Sequence, residues 1–327
     1  MLLSRHNFVG NKMCEEEQIQ LNQEIIKLRR RLQQKFADEK TSANLSLVYH
    51  YTSPEALLNI IENHNLWFSE ITYMNDESEI RYTFELLKEL VKNDKLELDL
   101  EFKEVINSYI QTRLIFPSTL WEYVNREASY VACFSTEKDE LALWNYYTKT
   151  GNMAGYNIGF NVKKFVEDIR HRLKKMHYFI YGKTICNKSK QENFLQEAVS
   201  EFNLLYKKTK SYDDKNNLIG AFWGLIDLYS LFFKQPAFKN ENEYRFVITE
   251  LTDPLQRNSQ AYQIKHRTQN GLIIPYINVD FSKECVQSII TAPTIRQAYH
   301  KAGIESLLLQ NEYYRTKVET SNIPLRY

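Results

Sequence analysis

The stretch YVACFSTEKDELALWNYYTKTGNMAGYNIGF, residues 130–160, decides the fold that we predict for the chain. It opens with the short apolar, β-prone run of residues 130–134, which indicates a buried strand. Asp139 can cap the helix that follows. The apolar side chains of that helix recur at helical spacing: Leu141, Trp144 and Tyr147. Residues 156–160 then predict a second strand. Strand, helix and strand in this order indicate a core supersecondary unit.

The composition is that of a globular protein without a charge bias. The chain has 327 residues, of which 43% are hydrophobic and 25% are charged, and its formal net charge is +1. This length allows one large domain or two ordinary ones. A net charge so close to zero argues against binding of nucleic acid through a broad basic surface.

Targeting and redox signals indicate a cytoplasmic protein. The first residues lack the apolar core of a signal peptide, and no apolar run is long enough to span a membrane, so we expect no membrane partner. The four cysteines have no paired spacing, which argues against a disulfide framework and a zinc site: Cys14, Cys133, Cys186 and Cys285. We therefore assign no metal ligands.

The chain divides into an N-terminal helical arm, residues 1–45, and one α+β domain, residues 46–327. Within the arm, residues 15–40 form a charged helix whose apolar positions alternate in spacing between four and three: Leu21, Ile25, Leu28 and Leu32. Two heptads are too few to establish a coiled coil, so two alternatives stay open. The helix either packs on the body of the protein or pairs with a partner, which is a second copy or another protein.

The α+β domain begins with a strand over residues 47–52. Ser53 then caps a helix that has Pro54 in its first turn and ends near Asn63. Further helices are predicted over residues 163–175, 191–210, 216–233 and 295–302. Further strands are predicted over residues 66–69, 177–181, 243–248, 262–265, 272–277 and 286–291.

Several short motifs together are similar to a bacterial family catalogued as domain of unknown function number 2971. The resemblance extends from residue 47 to the C-terminus and by itself implies no activity. The motifs that carry it are His50-Tyr51-Thr52, Asn75-Asp76 with Glu79, Cys133-Phe134-Ser135, Trp144 with Tyr147, residues 155–160, Glu241-x-Glu243-Tyr244-Arg245, and residues 321–326.

The order of the polar residues also resembles that of ADP-ribosyltransferases. That group places a His or Arg on an early strand, aromatic or Ser-Thr residues on a middle strand, and a catalytic Glu on a late one. In this chain His50 comes early, Ser135-Thr136 follows, and Glu241-x-Glu243 comes late. The resemblance implies a mixed, ADP-ribosyltransferase-like split β-sheet with helical insertions and an N-terminal helix, and it implies NAD as a substrate.

The same resemblance implies a role for each candidate residue. Glu243, with Glu241 beside it, would stabilise the oxocarbenium-like ribose that forms when the nicotinamide bond breaks. His50 would hydrogen-bond the ribose or the nicotinamide amide and fix its pose. The residues that would bind NAD are Tyr51, Thr52, Ser135, Tyr147 and Tyr156. The ring that stacks on the cationic nicotinamide is that of Tyr51, Tyr147 or Tyr156.

The leading hypothesis is therefore an NAD-consuming enzyme, either an ADP-ribosyltransferase or an NADase, that acts as a bacterial toxin or phage-defence effector. Its acceptor would be a nucleic acid or a protein. One alternative is a metal-dependent nuclease that uses Asp76, Glu79, Glu243 and His50. The other is a non-enzymatic sensor or scaffold that forms a homodimer or binds a partner protein through the N-terminal helix.

Each candidate residue also has a purely structural interpretation. His50 lies in an apolar strand and can be a hydrogen-bonded core histidine. Glu243 can pair with Arg245 or Arg81, and Asp76 and Glu79 can cap a helix. If Glu243 is catalytic and not structural, Glu243→Gln should abolish activity and leave the thermal melt nearly unchanged.

Overall fold

The computed structural model describes residues 15–41, 45–74, 79–92, 96–115, 127–147, 155–173, 177–251, 262–269, 271–294 and 297–324. Within these ranges the α-helices are α1 (Glu15–Thr41), α2 (Pro54–Asn63), α3 (Glu79–Lys92), α4 (Leu100–Ile115), α5 (Leu141–Tyr147), α6 (Val162–Arg172), α7 (Lys188–Lys208), α8 (Tyr212–Ser230) and α9 (Gln297–Gln310). Short 3-10 helices span Ile71–Tyr73, Pro236–Glu241 and Lys283–Cys285.

The strands of the described ranges are β1 (Leu47–Thr52), β2 (Asn65–Glu70), β3 (Glu127–Ser135), β4 (Tyr156–Asn161), β5 (His177–Lys183), β6 (Glu243–Leu251), β7 (Ile264–Gln269), β8 (Leu272–Asp280), β9 (Val286–Thr291) and β10 (Lys317–Thr320). They form one sheet that contains a path in the order β10-β9-β4-β1-β3-β2-β8-β7. Strand β6 pairs with both β3 and β5. The predicted α+β class with a mixed sheet and an N-terminal helix is confirmed.

The sheet forks at β3. One edge of β3 pairs with β6 along its whole length, from Glu127 to Ser135. A strand has only two edges, so β1 and β2 must share the other one. Strand β1 meets that edge at Ser135, and β2 meets it at Tyr130 and Val131. Between these two points β1 and β2 diverge, and the sheet is split.

The central strands β3 and β6 are buried on both faces, which explains the continuous apolar run of β3. Tyr130, Ala132 and Phe134 belong to a core beneath α2, α6 and α9. Val131 belongs to a second core, on the opposite face, which is built from α1, α3, α4, α7 and α8. Successive side chains of a strand point to opposite faces, so one strand serves both cores.

Helix α1 packs on the body of the protein, which is one of the two alternatives for it. Its predicted apolar positions are buried in the helical core, together with Phe36. Three salt bridges join α1 to α7: Arg31 to Glu201 at 2.9 Å, Lys35 to Glu197 at 2.6 Å and Lys190 to Glu39 at 2.6 Å. The division of the chain at residue 45 and the pairing of this helix with a partner stay predictions.

The last turn of α1 buries a lysine. Lys40 is only 2% exposed, and its ammonium lies 3.7 Å from the centre of the Phe232 ring. Burial lowers the pKa of Lys40 to about 7. The chain of β5 passes so close that a Cβ atom on Gly182, whose φ is +149°, would lie 2.6 Å from the Cβ of Lys40. A glycine is required there.

None of the helices within the described ranges has the length and apolar character needed to cross a membrane.

Candidate functional site

A cavity of about 300 Å³ lies in the fork between β1, β2 and β3. This volume is in the range of small-molecule sites. Seven of the eight predicted site residues line it: His50, Tyr51, Thr52, Ser135, Tyr147, Glu241 and Glu243. Residues that are far apart in the sequence meet here because β1 and β6 approach opposite edges of β3.

Tyr156 does not join the other predicted residues. It begins β4, and its hydroxyl shares a hydrogen bond with Nδ1 of His300 at 3.0 Å. It lines a separate, more apolar groove between α2 and α9. Of the two middle tyrosines that the sequence left open, only Tyr147 is positioned at the cavity.

A buried ion network of four side chains borders the cavity, and we call it the cavity network: Lys234, Glu241, Glu243 and Arg245. The guanidinium of Arg245 forks onto Glu243, with Nε 2.9 Å from Oε1 and Nη2 2.8 Å from Oε2. Lys234 donates to Oε2 of Glu243 at 2.7 Å and to Glu241 at 2.5 Å. Glu243 thus makes one of the two pairings that the sequence suggested, with Arg245.

The turn before β6 explains why both glutamates reach the same lysine. The 3-10 helix Pro236–Glu241 ends at Asn242, which has a left-handed backbone with φ 46° and ψ 44°. Asparagine tolerates this conformation better than most residues. The chain therefore reverses between Glu241 and Glu243, and both carboxylates approach Lys234.

The charges of the cavity network are arranged by sign. Glu241 and Glu243 line the cavity, whereas Lys234 and Arg245 are not among its lining residues. The anionic side therefore faces the cavity and the cations lie behind it. Two cations in hydrogen-bond distance offset the cost of burying the carboxylates.

Burial and ion pairing act against each other in this network. Burial raises the pKa of the Glu243 carboxyl, and the Lys234 ammonium opposes that rise. Burial lowers the pKa of Lys234, but Glu243 and Glu241 outweigh it and raise that pKa. Arg245, which is 1% exposed, is a permanent cation. The network thus sets the basic side chains of Lys234 and Arg245 against the carboxyl groups of Glu241 and Glu243.

Cys133 lies beside the network, and its surroundings disfavour the thiolate. Burial, reinforced by the charge of Glu243, raises the pKa of the Cys133 thiol well above its ordinary value. A thiol that stays protonated is a poor attacking group. Cys133 is a small, half-buried side chain, packed against the helical core.

His50 is a neutral imidazole with a defined tautomer. Its Nδ1 lies 2.9 Å from the carbonyl oxygen of Cys133. A carbonyl can only accept a hydrogen bond, so Nδ1 carries the proton and Nε2 is left as an acceptor. Burial lowers the pKa of His50, which keeps the ring neutral. The structural interpretation of His50 and its exposure to the cavity are therefore compatible.

Tyr51 and Ser135 support the site rather than offer free polar groups to it. The Tyr51 hydroxyl donates to the carbonyl of Glu137 at 2.9 Å and accepts from the amide of Glu140 at 3.1 Å. The Ser135 hydroxyl donates to the carbonyl of Glu241 at 2.8 Å. Both side chains fix the loops around the cavity. Thr52 is buried at the end of β1.

Tyr147 is the most available aromatic ring among the predicted residues. It is 39% exposed and ends α5. Its ring lies 6.3 Å from that of Tyr51, with 30° between the planes. Burial raises the pKa of the Tyr147 phenol. Its position leaves part of the ring open to a ligand.

Asp139 connects α5 to the C-terminal segment. Its carboxylate accepts hydrogen bonds from the Trp144 indole at 2.7 Å, from the Ser321 hydroxyl at 2.8 Å and from the Asn322 amide at 2.9 Å. The predicted cap of α5, a hydrogen bond to an amide of its first turn, is not among these contacts. Instead, Asp139 joins two of the motifs that carried the family resemblance.

Sequence reasoning missed Lys234 and Arg267, two cations of the site. Lys234 follows the apolar end of α8 and has no periodic pattern that singles it out. Arg267 is one of three basic or histidine side chains in a row on β7, and its neighbours in sequence are exposed. Only the sheet order brings it to the cavity. No signal in the sequence distinguishes either residue.

The metal-dependent alternative receives no support from the described part of the chain. Among those residues, no three His, Cys, Asp or Glu side chains form a group that could hold a metal ion. Asp76 and the side chain of Glu79, which that alternative requires, lie outside the described residues.

Comparison with known proteins identifies one family. A family model described as "Protein of unknown function (DUF2971)" matches residues 143–246. No curated protein and no solved structure matches the chain. The matched segment begins at α5 and includes the whole cavity network. The predicted resemblance to this family is thereby confirmed over residues 143–246, and the motifs outside that range stay predictions.

Proposed function

We propose that the protein is an NAD-consuming enzyme that breaks the bond between nicotinamide and ribose. The observation that carries the proposal is the gathering of His50, Glu241 and Glu243 around one cavity, with both carboxylates on its surface. The fork in the sheet, which creates that cavity, also supports a likeness to the split sheet of ADP-ribosyltransferases.

The bond that breaks joins the nicotinamide nitrogen to the anomeric carbon of the ribose. Its electron pair leaves with nicotinamide, which becomes neutral, and positive charge develops on the ribose. Glu241 and Glu243 present negative charge to that developing cation from fixed positions. The network needs no rearrangement during the reaction because Lys234 and Arg245 already hold both carboxylates.

The two carboxylates have different parts in the proposal. Glu243 is 5% exposed and fixed by both cations, so it acts through its charge. The Glu241 side chain is 21% exposed and bonds to Lys234 through one oxygen. It is the carboxylate that can accept a proton from the attacking hydroxyl, which belongs to water in an NADase and to the acceptor in a transferase.

His50 and Tyr147 would hold the substrate in place. The unprotonated Nε2 of His50 can accept a hydrogen bond from a ribose hydroxyl. The partly exposed ring of Tyr147 can stack on the cationic nicotinamide, whose charge favours an aromatic face. A nucleic-acid or protein acceptor and a role as a toxin or phage-defence effector remain part of this proposal.

The test is an incubation of the purified protein with NAD, alone and with DNA, RNA or cell lysate, in which released nicotinamide is measured. Glu241→Gln should reduce release by about 100-fold or more, the size typical for loss of a positioned proton acceptor. The Tm of this variant should change little, since the Glu241 side chain is partly exposed and makes one ion pair. Release at the wild-type rate in Glu241→Gln would contradict the proposal.

The structure changes the expectation for Glu243→Gln. That substitution leaves Arg245 and Lys234 buried with one carboxylate fewer, and unpaired buried charge is strongly destabilising. We now expect a lower Tm together with the loss of activity. Glu241→Gln is therefore the more informative variant, because it separates activity from folding.

A further inference from the structure

A further cation lies in the cavity away from the cavity network: its partner Ser69 pairs with Val131 of β3, four residues before the Ser135 that pairs with Glu243. Arg267 lines the cavity from β7, together with Ser69 of β2. Arg267 donates one hydrogen bond to the described residues, from its Nη2 to the Ser69 hydroxyl at 2.9 Å. A guanidinium has five N–H donors, so most of them have no protein acceptor in the described part of the chain.

Arg267 has an unusual balance of burial and pairing. Its Nε is buried and has no hydrogen-bond partner among the described residues. No described carboxylate lies within salt-bridge distance, and burial lowers the pKa of Arg267. A guanidinium in this setting is poorly hydrated and gains more from an incoming anion than an exposed one does.

The guanidinium is also held in position before any ligand arrives. It lies 5.7 Å from the centre of the Trp67 ring, and that ring packs on Tyr276 at 4.7 Å between centroids. Ser69 fixes Nη2 from the neighbouring strand. Little side-chain entropy would be lost on binding, which favours recognition of a specific group.

We propose that Arg267 binds a phosphate group of a small nucleotide whose sugar lies toward the glutamates. The two ends of the cavity then recognise opposite charges, an anion at Arg267 and a developing cation at Glu241 and Glu243. The forked geometry of arginine matches a phosphate. This inference rests on the proposed function in one respect, since the phosphate in question would be that of NAD.

Calorimetric titration of the whole protein with ADP, adenosine, pyrophosphate and a short DNA oligonucleotide tests the assignment. ADP should bind, and adenosine, which lacks the phosphates, should bind about tenfold more weakly or worse. Pyrophosphate should compete with ADP. Equal affinity for ADP and adenosine, absence of ADP binding, or tighter binding of the oligonucleotide than of ADP would overturn the proposal.

Variants of β7 supply the matched control. Arg267→Met should weaken ADP binding about tenfold or more and leave adenosine binding unchanged. The ADP affinity of Arg267→Lys should lie between those of the wild type and Arg267→Met, because lysine keeps the charge but not the forked geometry. Lys265→Met removes the same charge from an exposed position two residues away and should change neither affinity. Thermal melts of all three variants verify folding. Equal losses in Arg267→Met and Lys265→Met would overturn the assignment.

The outcomes separate this inference from the proposed function. Arg267-dependent binding of ADP without any release of nicotinamide would leave the phosphate site intact and remove the NAD-cleaving activity. If Arg267→Met released nicotinamide with an unchanged KM for NAD, the proposed activity would be supported and the phosphate site at Arg267 would be contradicted.

Discussion

Two ion networks in the described part of the chain differ in what lies beside them. The cavity network faces open space on its anionic side. The second, which we call the helical network, consists of Tyr109, Arg113 and Asp227 in the helical core. Arg113 Nη2 lies 2.5 Å from Asp227 Oδ1, and the Tyr109 hydroxyl donates to Asp227 at 2.9 Å. Tyr109 also stacks on Trp223, with 3.7 Å between centroids.

The difference shows that burial of charge does not by itself mark a functional site. In the helical network burial raises the pKa of Asp227 while Arg113 opposes the rise, which is the same balance as at Glu243. None of the three helical residues lines the cavity. The position of the carboxylates on a concave surface, and not their perturbed pKa, is what distinguishes the cavity network.

The largest effect should come from breaking the cavity network at its most buried member. Arg245→Met leaves Glu243 with Lys234 alone and should lower the free energy of unfolding by about 3–5 kcal/mol. Urea denaturation measures this change in the free energy of unfolding. Arg245→Lys, which keeps a charge but loses the fork, is the control and should lose less. An unfolding free energy within 1 kcal/mol (roughly the value of one hydrogen bond) of the wild type would show that the network is not a structural unit.

Breaking the helical network should cost less, because the Asp227 side chain is 31% exposed. Asp227→Ala removes the ion pair with Arg113 and should lower the free energy of unfolding by about 2–3 kcal/mol. The release of nicotinamide per folded molecule should not change, since Asp227 is outside the cavity. A loss of activity at a temperature where the variant is fully folded would contradict the separation of the two networks.

Lys40 sharpens the comparison because it is a buried cation with aromatic neighbours and no described carboxylate in salt-bridge distance. With a pKa lowered from 10.5 to about 7, it binds fewer protons when folded than when unfolded. Stability should therefore rise as the pH increases from about 7 to 10. Lys40→Met should stabilise the protein at pH 7 by about 1–3 kcal/mol and flatten that rise.

The Lys40 prediction is checked by chemical denaturation at a series of pH values. Lys190→Met, which removes an exposed lysine from the same region, is the control and should leave the pH profile unchanged. A wild-type profile as flat as that of Lys40→Met would mean that the ring of Phe232 compensates fully for burial.

The smallest effect concerns Asp139, which is not part of either network. Ser321→Ala removes one hydrogen bond to Asp139 and should lower the free energy of unfolding by about 1 kcal/mol. The change should be local, so protection of the amides around Trp144 from hydrogen exchange should fall more than that of the amides in α7. An equal loss of amide protection around Trp144 and in α7 would show that the C-terminal segment does not support α5.

Local patterns predicted most of the elements that surround the site. Strands β1 and β9 agree with the predicted residues, and the Ser53 hydroxyl accepts from the Ala56 amide at 3.3 Å as the cap of α2. Strand β10 was missed because its four residues, Lys317–Thr320, have no apolar alternation; it forms through parallel pairing with β9. Pairing of that kind is not encoded locally.

The composition of the candidate site could be predicted only in part. A motif such as Glu241-x-Glu243 marks two carboxyl groups close together in the sequence, but it does not reveal the lysine that both of them contact. Tyr156 was placed with the others through the resemblance to ADP-ribosyltransferases, and the alternation of β4 does not say which of its faces meets the cavity. The sheet order, which the sequence does not encode locally, decides both.

The packing of α1 has a consequence for synthesis of the chain. Lys35 finds its partner Glu197 only after 162 further residues have been made, which at bacterial or eukaryotic rates takes roughly 8–30 s. During that interval the apolar stripe of α1 has neither α7 nor α8 to cover it. Helix α1 is therefore translated early but packs late. The helical core can form only after the ribosome has translated α7 and α8.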